Sequence, residues 1–252
     1  MRVFGLIGYP LSHSFSPGYF AQKFSKEGIE DTSYRLFPIE NIDKINELLS
    51  TDNNICGLNV TIPYKQQVIP YLNEIDETAR VIGAVNTICV FRTSSGFKLS
   101  GYNTDVIGIL DSLKGHEHHK KALVLGNGGA SKAVIYALNQ LQILYTIVSR
   151  NPKGDNQISY NQLSERIIQE NTLIINTTPL GMSPNINDCP LIPYQAIGQN
   201  HFIFDLIYNP KETLFMKSAH KNGAQTINGL KMLYSQAEAS WQLWNKTENS
   251  YL

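Results

Sequence analysis

Cysteine is scarce in this chain. Cys56, Cys89 and Cys189 are the only three in 252 residues, they lie far apart, and no C-x-x-C pair occurs. That excludes a disulfide frame and a cysteine zinc site, and the three read as thiols of a reducing compartment. Net charge is missing too: 21 basic residues balance 21 acidic ones, with no long basic block. Nucleic-acid binding through a general electrostatic footprint is thereby excluded. No apolar run approaches the length of a membrane helix. The opening MRVFGLIGYP carries one arginine and an apolar run too short for a secretory signal. A cytoplasmic chain is expected, with neither membrane nor nucleic acid among its partners. His116, His118 and His119 cluster in GHEHHKK, but no cysteine frames them. They read as a polar surface linker, and no metal is expected.

What is present suffices for proper cores. Hydrophobic residues make up 42% and charged residues 17% of the chain, which fits one large or two modest domains. The stretch KKALVLGNGGAS at 120–131 organises the rest. Residues 122–125 form a short apolar run of strand type. Gly126, Gly128 and Gly129 follow, and 130–141 read as a helix with Ala133, Val134, Ala137, Leu138 and Leu141 on one face. A strand, a glycine turn and a helix gather unpartnered N–H groups and the positive end of a helix dipole at one point, which attracts phosphate. The dinucleotide fingerprint is G-x-G-x-x-G/A, and Ser131 stands at its third position. A small residue there still lets the helix pack close. The loop is either that fingerprint or an ordinary strand–loop–helix turn.

The next strand, 145–149, ends at Arg150 in S-R-N-P-K, and the first acid after it is Asp155. An acid at such a strand end binds the 2′-OH of NAD, whereas an arginine accommodates the 2′-phosphate of NADP. The reading is therefore NADP over NAD, against a solvated surface arginine.

From the N-terminus, 2–7 is a strand broken by Gly8-Tyr9-Pro10. Ser16 before Pro17 predicts a serine N-cap with proline at the first helical position, the helix running to about Glu27 and stopping at Gly28. Ser12, His13, Ser14 and Ser16 thus crowd the end of the first strand, either to cap and turn or to hold a ligand. Residues 34–37 read as a strand, 41–49 as a helix and 55–62 as a strand ending in N-V-T-I-P-Y-K. Alternation puts Asn59 and Thr61 on one face. Lys65 follows on a short turn or helix after Pro63. A helix at 76–82 and a hairpin of 88–91 with 97–99 complete this half. In G-Y-N-T-D, Thr104 or Asp105 can cap the next helix. Lys65 and Asp105 read by themselves as a surface lysine and a helix cap. Strands at 122–125, 145–149, 173–176, 202–206 and 224–226 make the second half. Residues 229–246 read as a helix with Leu230, Leu233, Ala237, Trp241 and Trp244 on one stripe. Two tryptophans need a large apolar partner, so this helix is sent back to the N-terminal domain. The expected domains are 1–104 with 228–252, and 105–227.

With those residues in hand, the sequence resembles the shikimate dehydrogenase family. The motifs run in order through nearly the whole chain: G-Y-P-L-S-H-S-F-S-P, N-V-T-I-P-Y-K at 59–65, G-A-V-N-T at 83–87 and N-T-D at 103–105. Then come G-N-G-G-A at 126–130, S-R-N at 149–151, N-T-T-P-L-G-M at 176–182 and N-G-L-K-M-L-Y-S-Q-A at 228–237. Three positions depart from the family pattern: Tyr102, Asn127 and Asn151. The resemblance implies an α/β chain whose N-terminal substrate domain precedes a Rossmann-type doubly wound NADP domain. It implies reversible NADPH-linked reduction of 3-dehydroshikimate to shikimate, on the route to aromatic amino acids. Shikimate would bind Ser14, Ser16, Thr61, Asn86, Asp105, Tyr208 and Gln236, with Lys65 as the catalytic acid or base beside Asp105. NADP would lie on Gly126, Asn127, Gly128, Gly129 and Ala130, and on Ser149, Arg150 and Lys153. Thr178, Leu206 and Gly229, with Glu77, would complete the cofactor set. The chemistry agrees. Shikimate offers three hydroxyls and a carboxylate, so its site needs short polar groups and few ions. Lys65 can deliver a proton to the ketone oxygen and Asp105 can hold and orient it. Rival readings are an NAD-dependent quinate/shikimate dehydrogenase, which Arg150 opposes, and a non-catalytic dinucleotide sensor, which would need Lys65 or Asp105 damaged. The enzyme is expected to be a monomer or a homodimer.

Overall fold

The computed structural model describes residues 1–11 and 14–246, so Ser12 and His13 lie outside the described residues. The chain divides into two compact units, one of Met1–Thr104 joined by the chain from Ala237, the other of Asp105–Gln236.

In the first unit the elements follow as β1 (Arg2–Gly8), α1 (Ser16–Glu27), β2 (Thr32–Pro38), α2 (Ile45–Thr51), β3 (Ile55–Val60), α3 (Tyr64–Gln67), β4 (Glu74–Ile75), α4 (Glu77–Ile82), β5 (Thr87–Thr93) and β6 (Gly96–Tyr102). Its sheet has the order β2-β1-β3-β5-β6-β4. β1 runs parallel to β2 and β3, and β5 is antiparallel to both β3 and β6. Period-2 alternation splits the core in two. Val3, Ile7, Val60 and Ile88 join the cluster under α2 and α3. Phe4 instead joins Phe20, Phe24 and Trp244, a face of aromatic rings. Trp244 closes that face: it stacks on Phe4 with ring centroids 4.7 Å apart, and its Nε1–H donates to the Ile88 carbonyl at 3.0 Å. Gly57 makes room for the ring, since a Cβ there would sit 2.3 Å from Trp244 Nε1.

The second unit holds α5 (Asp105–Leu113), β7 (Lys121–Leu125), α6 (Gly129–Gln140), β8 (Leu144–Ser149), β9 (Gln157–Ser159), α7 (Glu165–Glu170), β10 (Leu173–Asn176), β11 (Phe202–Asp205), α8 (Leu214–Lys221) and β12 (Gln225–Ile227). Every pair in its sheet is parallel, in the order β12-β11-β10-β7-β8-β9. The strand order therefore reverses between β7 and β10, the place where doubly wound sheets take their ligands. α9 (Leu230–Lys246) begins in this unit and passes to the first at Ala237.

Several expectations need correction. Ser16 is not the N-cap of α1: Phe15 already has helical torsions and holds that place, and no side chain caps the helix. The helix expected over 41–49 splits, because Asn41 accepts from the Asp43 N–H and starts a 3-10 turn before α2. β3 ends at Val60, although Thr61 N still donates to the Ile7 carbonyl at 3.0 Å. The histidine run is a surface linker only in part, with Glu117 and His118 exposed. His119 is buried and its Nδ1 lies 2.7 Å from Thr172 Oγ1, while the His116 ring stacks on Phe202.

Candidate active site

Two substrate candidates of the first unit, Asn86 and Ser16, join a buried hydroxyl and amide network. Asn59, near the end of β3, donates through Nδ2 to Ser240 Oγ at 2.9 Å and accepts from the Tyr34 hydroxyl at 2.8 Å. Thr87 Oγ1 lies 2.8 Å from Ser240 Oγ and 3.0 Å from Thr104 Oγ1. Asn86 Oδ1 accepts from Thr104 N at 2.7 Å and from the Thr104 hydroxyl at 3.1 Å. Asn59, Asn86, Thr87, Thr104 and Ser240 are all buried. Such a network, with its members bonded, fixes side-chain orientations that solvent would otherwise scramble. Ser16 joins through a hydrogen bond to Tyr34, whose phenol burial pushes up strongly. Ser14 and Thr61 are half-buried. Lys65 is half-buried on α3, and its carbonyl accepts from Val85 N at 2.7 Å.

Asn59, Thr87, Thr104 and Ser240 are not among the expected site residues, although alternation places Asn59 on the Thr61 face and Thr104 is read at a helix start. Ser240 carried a signal: it falls three residues after Ala237, so it brings a hydroxyl to the apolar face of α9.

In the second unit the cofactor candidates gather at the carboxyl ends of the parallel strands. Gly126 has φ 104°, a backbone that favours glycine, and its would-be Cβ would meet Thr177 Oγ1 at 2.7 Å and Thr178 Cγ2 at 3.0 Å. Gly128 and Gly129 differ. A Cβ on either meets no atom within 4 Å, so packing inside the protein does not require glycine there. Their bare backbone opens α6, which has no side-chain cap and no acidic residue in its first turn. A bare backbone at a helix start leaves room for a phosphate to approach its first N–H groups. Asn127 and Ala130 are exposed beside them, and Ser131 is buried, with its hydroxyl donating to the Gly128 carbonyl at 2.6 Å. β8 ends at Ser149, whose buried Oγ has no partner among the described residues, and Arg150 and Lys153 follow exposed. The residues present therefore fit a dinucleotide with an added phosphate.

Thr178 gives both its N–H and its hydroxyl to Asn176 Oδ1, at 3.0 and 2.7 Å. Leu206 N donates to the Asn176 carbonyl at 3.1 Å, and Gly229 N to the Ile207 carbonyl at 3.0 Å. Tyr208 is half-buried on the same segment, with its phenol pushed up by burial. Asp105 is buried at the start of α5, and Gln236 Nε2 donates to the Leu233 carbonyl within α9. Glu77 belongs to the first unit, where it pairs with Arg80 at 3.4 Å. A cavity of about 740 Å³ opens at the opposite, amino-terminal ends of the second sheet, lined by His116, His119, His201, Lys121 and Phe202. No candidate residue lines it.

Residues 6–88 match the family model described as the shikimate dehydrogenase substrate binding domain. A relative named shikimate dehydrogenase (NADP(+)) from Methanococcus maripaludis is 40% identical, over 96% of this chain and 91% of its own. Among solved structures, a chorismate mutase/shikimate 5-dehydrogenase fusion protein from Clostridium acetobutylicum superposes with TM-score 0.84 at 39% identity, covering 98% of this chain and 91% of that one. A quinate dehydrogenase from Corynebacterium glutamicum in complex with NAD reaches TM-score 0.84 at 27% identity, covering 96% and 93%.

Proposed function

Because the chain belongs to the shikimate dehydrogenase family, we propose that it catalyses the reversible NADPH-linked reduction of 3-dehydroshikimate to shikimate, within aromatic amino-acid biosynthesis. Bound NADPH would supply the hydride for reduction and NADP⁺ would accept it in the reverse direction, while the protein supplies position and charge. The observation that carries the cofactor choice is the pair of open glycines at the uncapped start of α6 with Arg150, and no carboxylate, at the end of the next strand. Gly126 to Ala130 are assigned the pyrophosphate, and Ser149, Arg150 and Lys153 the adenosine ribose with its 2′-phosphate. Thr178, Leu206 and Gly229 hold the cofactor's other end, with Glu77 as a further contact carried over from the family.

Shikimate is assigned to Ser14, Ser16, Thr61 and Asn86 with Asp105, Tyr208 and Gln236. Hydroxyls and amides that donate and accept at short range suit a ligand of three hydroxyls and one carboxylate. Lys65 is assigned the proton, given to the ketone oxygen in reduction and taken back in oxidation, with Asp105 as its carboxylate partner in that exchange.

Among the described residues no helix is long and apolar enough to cross a membrane. A cytoplasmic location suits an enzyme that draws on the NADPH pool, and the assembly is read as a monomer or homodimer. The alternative, an NAD-dependent quinate enzyme, shares the fold, and Arg150 argues against it. Steady-state assays of the purified chain with shikimate and with quinate, each with NADP and with NAD, test the reading. Shikimate with NADP is expected to give the highest kcat/KM, and preference for NAD or quinate would overturn it.

A further inference from the structure

Asp205 is a buried carboxylate with no part in the proposed chemistry. It ends β11 and is fully buried. Its Oδ1 accepts from Asn176 Nδ2 at 3.0 Å and from Ile207 N at 3.1 Å, and its Oδ2 accepts from the Thr213 hydroxyl at 2.6 Å. These donors come from separate places: Asn176 ends β10, Ile207 lies in the segment after β11, and Thr213 caps α8.

Each bond sets a second one. Asn176 turns its Nδ2 to Asp205, so its Oδ1 faces the other way, onto the N–H and hydroxyl of Thr178. Thr213 gives its proton to Asp205 and keeps a lone pair for Met216 N at the start of α8. Ile207 gives its N–H to Asp205 and its carbonyl to Gly229 N. Only an acceptor-only group satisfies all three donors at once. An asparagine there would turn an N–H₂ toward Thr213 and leave the threonine proton without an acceptor. A buried carboxylate is also an expensive way to tie loops, since it must be desolvated. Burial pushes this one up to about 6, against the three hydrogen bonds that favour its charged form.

We propose that Asp205 is a positioning residue for the cofactor, its carboxylate holding the segments that carry Thr178, Leu206 and Gly229 in one register. The inference rests on the assignment of NADP to those three residues.

Direct titration of NADP by calorimetry, alongside steady-state kinetics, tests it. Asp205→Asn is expected to weaken NADP binding about ten-fold, the scale of one charge-assisted hydrogen bond. The KM for shikimate is expected to rise less than the Kd for NADP, since Tyr208 alone of the residues assigned to shikimate lies on the tied segment, and kcat at saturating NADP to stay within about three-fold. Thr178→Val weakens NADP by itself, but adds less than about two-fold on top of Asp205→Asn, since both act through one chain of bonds. Thr213→Val removes one arm together with the cap on Met216 N, and weakens NADP even where Asp205→Asn does not fold. Wild-type NADP affinity in a folded Asp205→Asn or Thr213→Val protein overturns the proposal. So does full additivity with Thr178→Val, or an equal rise in both KM values, which marks a merely structural tie. A wild type that binds NADP but does not oxidise shikimate overturns the functional reading alone, because the calorimetric comparison still decides the role of Asp205.

Discussion

Gly229 lies against the backbone of Leu206: a Cβ at 229 would stand 2.0 Å from the Leu206 carbonyl oxygen. The Gly229 N–H meanwhile donates to Ile207 O at 3.0 Å, so the two segments are sewn together where no side chain fits. Gly229→Ala must push them apart, and overpacking of this kind costs about 1–3 kcal/mol. Since both residues are assigned to NADP, the KM for NADP is expected to rise about ten-fold or more, with a lower thermal midpoint. A wild-type KM in the alanine variant would remove this segment from the cofactor site.

Lys65→Ala tests the proton assignment. A positioned proton donor is worth about 10²–10⁴ in rate, so kcat is expected to drop at least a hundred-fold. The KM for shikimate changes far less. Retention of kcat within a few-fold of wild type would make Lys65 a surface lysine.

Arg150→Ala separates the two nicotinamide cofactors. A hydrogen bond to a charged group contributes roughly 1.5–3 kcal/mol, which predicts a rise of about ten-fold or more in the KM for NADP. NAD has no 2′-phosphate and is expected to be almost unaffected. An equal loss for both would assign Arg150 to loop support.

Ser240→Ala removes the hydroxyl that lies between Asn59, Thr87 and Thr104. Leaving buried polar partners unsatisfied costs about 1–3 kcal/mol, so chemical denaturation should show a loss of that size. A variant as stable as wild type would mean that the remaining three groups satisfy one another.

The second unit is expected to weaken in acid through His119. Burial pushes its imidazole down from an ordinary 6.5 to about 4, and the neighbouring histidines add to the shift. The unfolded chain takes up this proton near the ordinary value, whereas the folded chain resists until about 4. The contribution is therefore whole above 6.5 and is lost as pH falls toward 4. Asp205, raised to about 6 by burial, slopes the other way, but it does so equally in wild type and variant. Thermal midpoints across that window should fall more steeply for wild type than for His119→Gln; parallel curves would rule the histidine out.

Much of this was legible in the order of residues. Branched runs marked the buried strands, and Gly28 and Gly126, both at positive φ, ended elements where expected. The places of the Gly-rich loop and Arg150 could be read because their signals are local: a turn, a helix start and the end of a strand. What escaped depends on partners distant in sequence. Ser16 looked like a cap, but Phe15 takes that place and Tyr34 takes the hydroxyl. The histidine run looked solvated because its partners Thr172 and Phe202 lie on strands far along the chain. α7 and α8 are short, only 6 and 8 residues, which leaves their caps Ser164 and Thr213 little helical pattern to announce. Asp205 reads as one more acid after a strand until its three donors are in place.

Trp244 over Gly57, and Ser240 against Asn59, have a further consequence for the order of assembly during synthesis. The part of the aromatic face that α1 leaves open stays uncovered while the whole of Asp105–Gln236 is being made, because its lid lies beyond that segment. The second unit emerges from the ribosome as one uninterrupted stretch and can close on contacts of its own. Translation thus delivers the cofactor half ready to fold, while the half begun first waits for the last helix. Long-range closure of this kind is slow and leaves apolar surface exposed in the meantime, which makes the nascent first sheet the aggregation-prone part of this chain.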